Sequence, residues 1–272
     1  MPDVRGVNAS FGVEYTPIRN ERKLYLDIYS PSERDGEMTP VVFIHGGGWN
    51  TGDRKLDMPM AMRLAEAGMC VFCVEYRLSG EAQYPAALKD INTALAWIDA
   101  HADSLGVNMS KLTVVGASAG GQMAALLGAS NGTVARYLPE SGVIPPVINL
   151  TVDIDGVLAF IHPDSSEGKD KPGKVSCATQ WIGKPMEEDS VRWWDASAVT
   201  HVGAWSANRF VFINSSQKRF SAGQADMIEL LHKYGKETSE HKTEGTPHTF
   251  WLFEPWAEDV AKLIISEVEK KF

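Results

Sequence analysis

The chain has 272 residues, 44% of them hydrophobic and 22% charged, which suits one large domain (1–272) with a substantial core. Its formal net charge of −9 argues against nucleic acid as the main partner, since phosphate binding calls for an excess of Lys and Arg. No run of about 18 apolar residues is present, so no membrane span is expected. No basic segment followed by an apolar run opens the sequence, so the chain reads as cytoplasmic, or as secreted or periplasmic if a signal peptide has been removed.

In chain order, 24–29 and 41–44 read as strands separated by the Pro31 to Pro40 turn, and 55–67 as a helix closed by Gly68. A strand follows over 70–76. Cys70 and Cys73 form a C-x-x-C within it, but residues three apart in a strand face opposite sides. They therefore read as buried thiols and not as a metal or redox site; Cys177 is the third cysteine. An amphipathic helix spans 86–101, with Leu88, Ile91, Leu95 and Ile98 on one face and Pro85 at its start. Strand 111–115 leads into a helix of small residues over 119–128. Strands at 149–154 and 209–213, a helix over 222–234, a strand over 239–243 and a helix from Trp256 complete the pattern. Alternating strand and helix predicts an α/β fold, a mostly parallel sheet covered on both faces. Between 157 and 208 the alternation stops, in a stretch carrying Trp181, Trp193, Trp194 and Trp205. Long irregular stretches tend to be functional, and this one reads as a cap-like insertion over the carboxyl edge of the sheet.

Gly116-Ala117-Ser118-Ala119-Gly120 is a G-x-S-x-G where a strand turns into a helix, a context that pushes the serine to the tip of a sharp turn. His45-Gly46-Gly47-Gly48-Trp49 directly follows a strand, and glycines there let backbone N–H groups approach a ligand closely. With the N–H of Ala119, those of Gly47 and Gly48 would form an oxyanion hole.

These motifs, with Glu75-Tyr76-Arg77-Leu78 and Tyr84-Pro85-Ala86-Ala87-Leu88-Lys89-Asp90, stand in an order that resembles the α/β-hydrolase superfamily, in its carboxylesterase and polysaccharide-esterase branch. Asp155-Gly156-Val157-Leu158-Ala159-Phe160, Ile213-Asn214-Ser215-Ser216 and the segment from Pro247 to Phe253 look like bacterial esterases that deacetylate plant cell-wall polysaccharides. The resemblance implies a serine esterase with triad order Ser, acid, His, working without metal or organic cofactor on a small-molecule or carbohydrate ester. Ser118 is then the nucleophile. His248, in the loop after the last strand, is the base, ahead of His162, His201, His232 and His241. His45 braces the glycine loop. The loop after strand 209–213, where the acid usually stands, reads Asn214-Ser215-Ser216-Gln217-Lys218-Arg219-Phe220 and lacks a carboxylate. Asp155, ending the strand after the elbow, is preferred to Asp226, at a helix start; Asp153 sits deeper in the same strand.

Trp49 and Trp251 are expected near the reacting carbonyl, making a small acyl pocket suited to acetyl. The tryptophans of 157–208 are either core or an exposed surface for stacking on sugar rings. Acetyl removal from acetylxylan- or pectin-type polysaccharides is the expected activity. General short-chain carboxylesterase or feruloyl esterase action is the alternative, with peptidase and non-catalytic binding roles behind. Oligomeric state is not legible in the residue pattern.

Overall fold

The sheet is assembled around strands that are apolar on both faces, as buried parallel strands must be. The computed structural model describes residues 6–16 and 22–270. Among these, eight strands form one sheet: β1 (Val7–Glu14), β2 (Tyr25–Pro31), β3 (Pro40–Ile44), β4 (Cys70–Val74), β5 (Thr113–Ala117), β6 (Leu150–Ile154), β7 (Arg209–Asn214) and β8 (Glu237–Lys242). Their order is β1-β2-β4-β3-β5-β6-β7-β8. β1 and β2, and β2 and β4, pair antiparallel; every other pairing is parallel. The helices are α1 (Met58–Glu66), α2 (Ala86–Ala100), α3 (Ala102–Leu105), α4 (Ala119–Ser130), α5 (Cys177–Ile182), α6 (Ser190–Asp195), α7 (Gln224–Lys233) and α8 (Trp256–Glu269). None of the described helices is long and apolar enough to cross a membrane.

Alternation along the strands divides the core in two. Val42, Ile44, Phe72, Val74, Val114 and Phe210 pack with residues of α2, α4 and α7, among them Leu88, Ile91, Leu95, Met123, Met227 and Leu231. Val41, Phe43, Val71, Val115, Val152 and Val211 face the other way, onto Met60 and Leu64 of α1 and Val260 and Ile264 of α8. Cys70 falls in the first cluster and Cys73 in the second, so the two thiols lie on opposite faces, and burial pushes the Cys70 thiol up to about 12.

Three local departures from the sequence reading have plain causes. β1 has no counterpart in it: this edge strand is largely exposed, and Phe11 is among its exposed residues, so no core face marks it. The helix expected over 55–67 begins as a 3-10 turn, Arg54–Asp57, and becomes α-helical only at Met58, with Pro59 in its first turn. β4 ends at Val74; Tyr76 lies beyond it, with its ring stacked on His45 at 4.3 Å. Within 157–208, α5, α6 and a 3-10 turn (Ala198–His201) supply local order. Trp181 and Trp193 there are wholly buried: Trp181 stacks on Trp49 at 5.2 Å, and Trp193 donates its Nε1–H to the Lys184 carbonyl.

α4 is buried along its whole length, and its first turn presses onto the sheet. A Cβ on Gly120 would meet the Ile44 carbonyl oxygen at 2.0 Å, and one on Gly116 would meet the Gly120 carbonyl oxygen at 2.1 Å. Asp153 is locked beneath this turn. Its Oδ1 accepts the Gly156 N–H at 2.8 Å, and its Oδ2 is buried with no partner among the described residues. Burial, with the nearby Asp155 carboxylate adding to it, raises its carboxyl well above the usual range. A raised acid stabilises the fold at low pH and loses that contribution as pH climbs above its unfolded value of about 4 toward its native one. Asp153→Asn mimics the protonated form, so it should gain stability over the parent with rising pH, by up to about 1.4 kcal/mol per pH unit. Urea unfolding at pH 5 and pH 8 measures the gap; a gap that stays constant or narrows with pH refutes a neutral Asp153.

Candidate active site

At the top of β5 the chain turns into α4 through Ser118, whose φ of 55° and ψ of −119° lie in the left-handed half of the map. The strain is held by packing and by the Ser118 N–H, which donates to the Ile154 carbonyl at 2.7 Å. The hydroxyl is thereby presented beyond the carboxyl ends of the strands, where open α/β sheets bind ligands. Ser118 Oγ lies 2.7 Å from His248 Nε2, and His248 Nδ1 lies 2.9 Å from Asp155 Oδ2.

Asp155 follows β6 directly, has a φ of 53°, and is wholly buried. Its second oxygen, Oδ1, accepts the Ser215 N–H at 2.7 Å, so both carboxylate oxygens have a donor. Asp226 is elsewhere. It projects from α7 with 66% of its side chain exposed, 3.8 Å from His162 Nε2. Asp153 lies under the elbow and does not reach the imidazole. The remaining histidines are engaged away from Ser118: His201 Nε2 with the Asp195 carbonyl, His232 with Thr238, His241 with Glu267.

The His248 ring is gripped on two sides. Phe220 stacks flat on it, with ring centroids 3.4 Å apart and planes 7° apart, and Trp251 meets it edge-on at 5.3 Å. Arg219 covers the same Phe220 ring at 4.3 Å and pairs with Glu167 at 2.9 Å. Sequence reasoning missed these positioning contacts. A stretch lacking the expected carboxylate gave no sign that it supplies a backbone donor at 215 and a ring at 220.

The loop 45–52 faces Ser118. Gly47 and Gly48 have φ of 125° and 58°, and a Cβ on Gly47 would meet the Thr51 carbonyl oxygen at 2.0 Å. The loop is closed by the Thr51 N–H donating to the Gly47 carbonyl. Among the described residues no acceptor takes the Gly47 or Gly48 N–H, and the Ala119 N–H opens α4, where a helix has no acceptor for it. His45 is buried at the base of the loop, with Nδ1 2.8 Å from the Gly46 carbonyl. Burial pulls its imidazole down to about 4, so it stays neutral at neutral pH. Trp49 is buried and donates its Nε1–H to Gln122 of α4 at 3.0 Å.

Two cavities meet at Ser118, and Gly48 and Arg219 line both. One, of ≈ 260 Å³, is bounded by Trp49, Ala119, Val157, Phe220 and the polar Ser166, Glu167, Ser176 and Cys177. The other, of ≈ 330 Å³, is bounded by His248, Trp251, Leu252, Leu56, Asp57 and Thr249. Cys177 is exposed, unlike the other two thiols. None of Trp181, Trp193, Trp194 and Trp205 lines either cavity. The stacking surface considered for them does not form beside Ser118: the first two fill the core, and exposed Trp205 is tied by its Nε1–H to the His201 carbonyl.

A "Probable carboxylic ester hydrolase LipM" of Mycobacterium tuberculosis is 28% identical over 221 residues, covering 79% of this chain and 50% of its own length. "Carboxylesterase NlhH" of the same organism is 37% identical over 146 residues, 53% of this chain and 44% of its own. The chain thus spans about half the length of these curated relatives. Among solved structures, a "truncated form of carbohydrate esterase from gut microbiota" superposes with a TM-score of 0.79 at 19% identity, covering 97% of both chains, which establishes the α/β-hydrolase fold. The BD-FAE family model matches residues 26–230, and the chain belongs to the BD-FAE family within that fold.

Proposed function

We propose that the protein is a serine carboxylic-ester hydrolase that removes short acyl groups, acetyl above all, from carbohydrate. The observation that carries the reading is the Ser118–His248–Asp155 chain of hydrogen bonds facing the glycine loop. His248 Nε2 takes the Ser118 proton as Oγ attacks the ester carbonyl, and Asp155 fixes the ring so that Nε2 is the free base. The N–H groups of Gly47, Gly48 and Ala119 hold the oxyanion of the tetrahedral intermediate. His248 then protonates the departing alcohol, and water, activated by the same nitrogen, releases the acid.

The leaving oxygen must reach His248, so the cavity that contains His248 receives the alcohol and the one bounded by Ala119 receives the acyl group. Trp49 then borders the acyl group and Trp251 the alcohol. A long alkyl chain in the acyl cavity would have to run along Ser166, Glu167, Ser176 and Arg219 and strip these polar groups of solvent. This favours acetyl. The alcohol cavity combines the apolar Trp251, Leu252 and Leu56 with the polar Thr249, Arg219 and Asp57, a mixture suited to a sugar. The solved neighbour described as a carbohydrate esterase supports the same substrate class. General short-chain carboxylesterase action is the second reading, favoured by the carboxylesterase names of the curated relatives.

Acetylated xylo- or pectic oligosaccharides should release acetate, and 4-nitrophenyl acetate should be cleaved much faster than the octanoate. Preference for the octanoate, with no acetate from any glycan, would leave only a general lipase-like carboxylesterase. Ser118→Ala should lower kcat by about 10⁴-fold or more with the fold intact by circular dichroism; a large residual rate removes Ser118 as nucleophile. Asp155→Asn should cost about 10³ to 10⁴ in kcat, whereas Asp226→Asn should stay within about twofold of the parent, as surface changes do. The reverse pattern would transfer the role to Asp226.

A further inference from the structure

The alcohol cavity contains one group that the mechanism does not use. Asp57 stands where the 3-10 turn gives way to α1, and its residue is only 2% exposed. It occupies the N-cap position, yet its side chain makes no capping hydrogen bond. Oδ2 is wholly buried and has no partner among the described residues. The residue nevertheless lines the cavity that holds Ser118, His248 and Trp251. Leaving a buried carboxyl unpaired is unfavourable, and an apolar residue of similar size would avoid that cost. Burial, reinforced by the Asp53 carboxylate, raises the carboxyl of Asp57 well above the usual range. A neutral carboxylic acid has one O–H to give and a carbonyl oxygen to receive with, which matches the two-way bonding of an alcohol hydroxyl.

We propose that Asp57 is a specificity-determining residue that hydrogen-bonds a free hydroxyl on the alcohol half of the substrate, close to the ester, so that esters of polyols and sugars are preferred to esters of plain alcohols. The inference rests on the esterase reading and on placing the alcohol beside His248. The oxygen open to the cavity, Oδ1, has no hydrogen bond among the described residues and would take the substrate hydroxyl as its partner, while Oδ2 stays enclosed behind it. A site built to bond a hydroxyl discriminates strongly against an analogue lacking it, because the buried polar group then stays unpaired.

The test compares 2-hydroxyethyl acetate with propyl acetate, in which a methyl replaces the hydroxyl. The readout is the ratio of their kcat/KM values, measured by acetate release. In the parent protein the ratio should exceed about 10, and Asp57→Leu should cut it by about 10-fold or more. Asp57→Asn, which keeps a donor and an acceptor in place, should retain most of the ratio. A parent ratio near unity overturns the proposal with no variant needed, so it stays testable even where Asp57→Leu does not fold. Equal slowing of both esters by Asp57→Leu also overturns it, by showing that the residue only supports the fold. Hydrolysis of neither ester by the parent would instead defeat the esterase reading on which the proposal stands.

Discussion

The site depends on how closely the first turn of α4 approaches the strands beneath it. Gly116, Gly120 and Gly121 allow that approach, because a Cβ at any of the three would come within 2.2 Å of another atom. Backbone atoms of Ile44 and Gly120 are what Cβ atoms at 120 and 116 would strike, so no side-chain rearrangement could relieve either clash. With the approach permitted, Ser118 is forced into its left-handed conformation and the unpaired N–H at the head of α4 faces the glycine loop. The same contact brings β3 to the elbow, so the loop that follows β3 lies opposite the serine. Ser118 and the N–H groups proposed as oxyanion donors are thus placed by one packing event.

Asp155 is placed by a different one. It leaves β6 in a left-handed turn and enters a pocket where Ser215, at the end of β7, offers its N–H. The loop after β7 supplies no carboxylate, but it supplies the donor that holds one and the aromatic ring that covers His248. Carboxylate and support have exchanged strands relative to the commoner arrangement, while the bond to the imidazole keeps ordinary length. Such an exchange costs little, since the carboxyl ends of β6 and β7 are neighbours in the sheet.

Much of this was legible in the residues. The parallel core strands are continuous apolar runs, and the two glycine motifs can be recognised because close backbone approach leaves few residues to choose from. His248 followed from its place after the last strand. The acid stayed open between Asp155 and Asp226, because sequence gives no distance between His248 and a carboxylate 93 residues before it. β1 was missed for want of a buried face. The tryptophans of 157–208 were ambiguous for the opposite reason, since a large indole suits a core as well as a sugar-binding surface. Asp57 carried no signal at all: it falls inside the helix read over 55–67, and only the missing cap bond and the burial set it apart.

The flat stack of Phe220 on His248 has a dynamic consequence. An imidazole is unsymmetrical, and a half-turn about its Cβ–Cγ bond would exchange Nδ1 with a carbon and break the bonds to Ser118 and Asp155 together. Exposed side chains make such flips within picoseconds to nanoseconds. Here the ring would have to sweep out of its plane through the space that Phe220 occupies at 3.4 Å, with Trp251 closing one edge. The flip therefore waits on a movement of Phe220, whose far face is covered by Arg219 and, through it, Glu167 of the 157–208 segment. An ion pair that touches neither imidazole nitrogen thus backs the ring that holds His248 in register with Ser118 and Asp155.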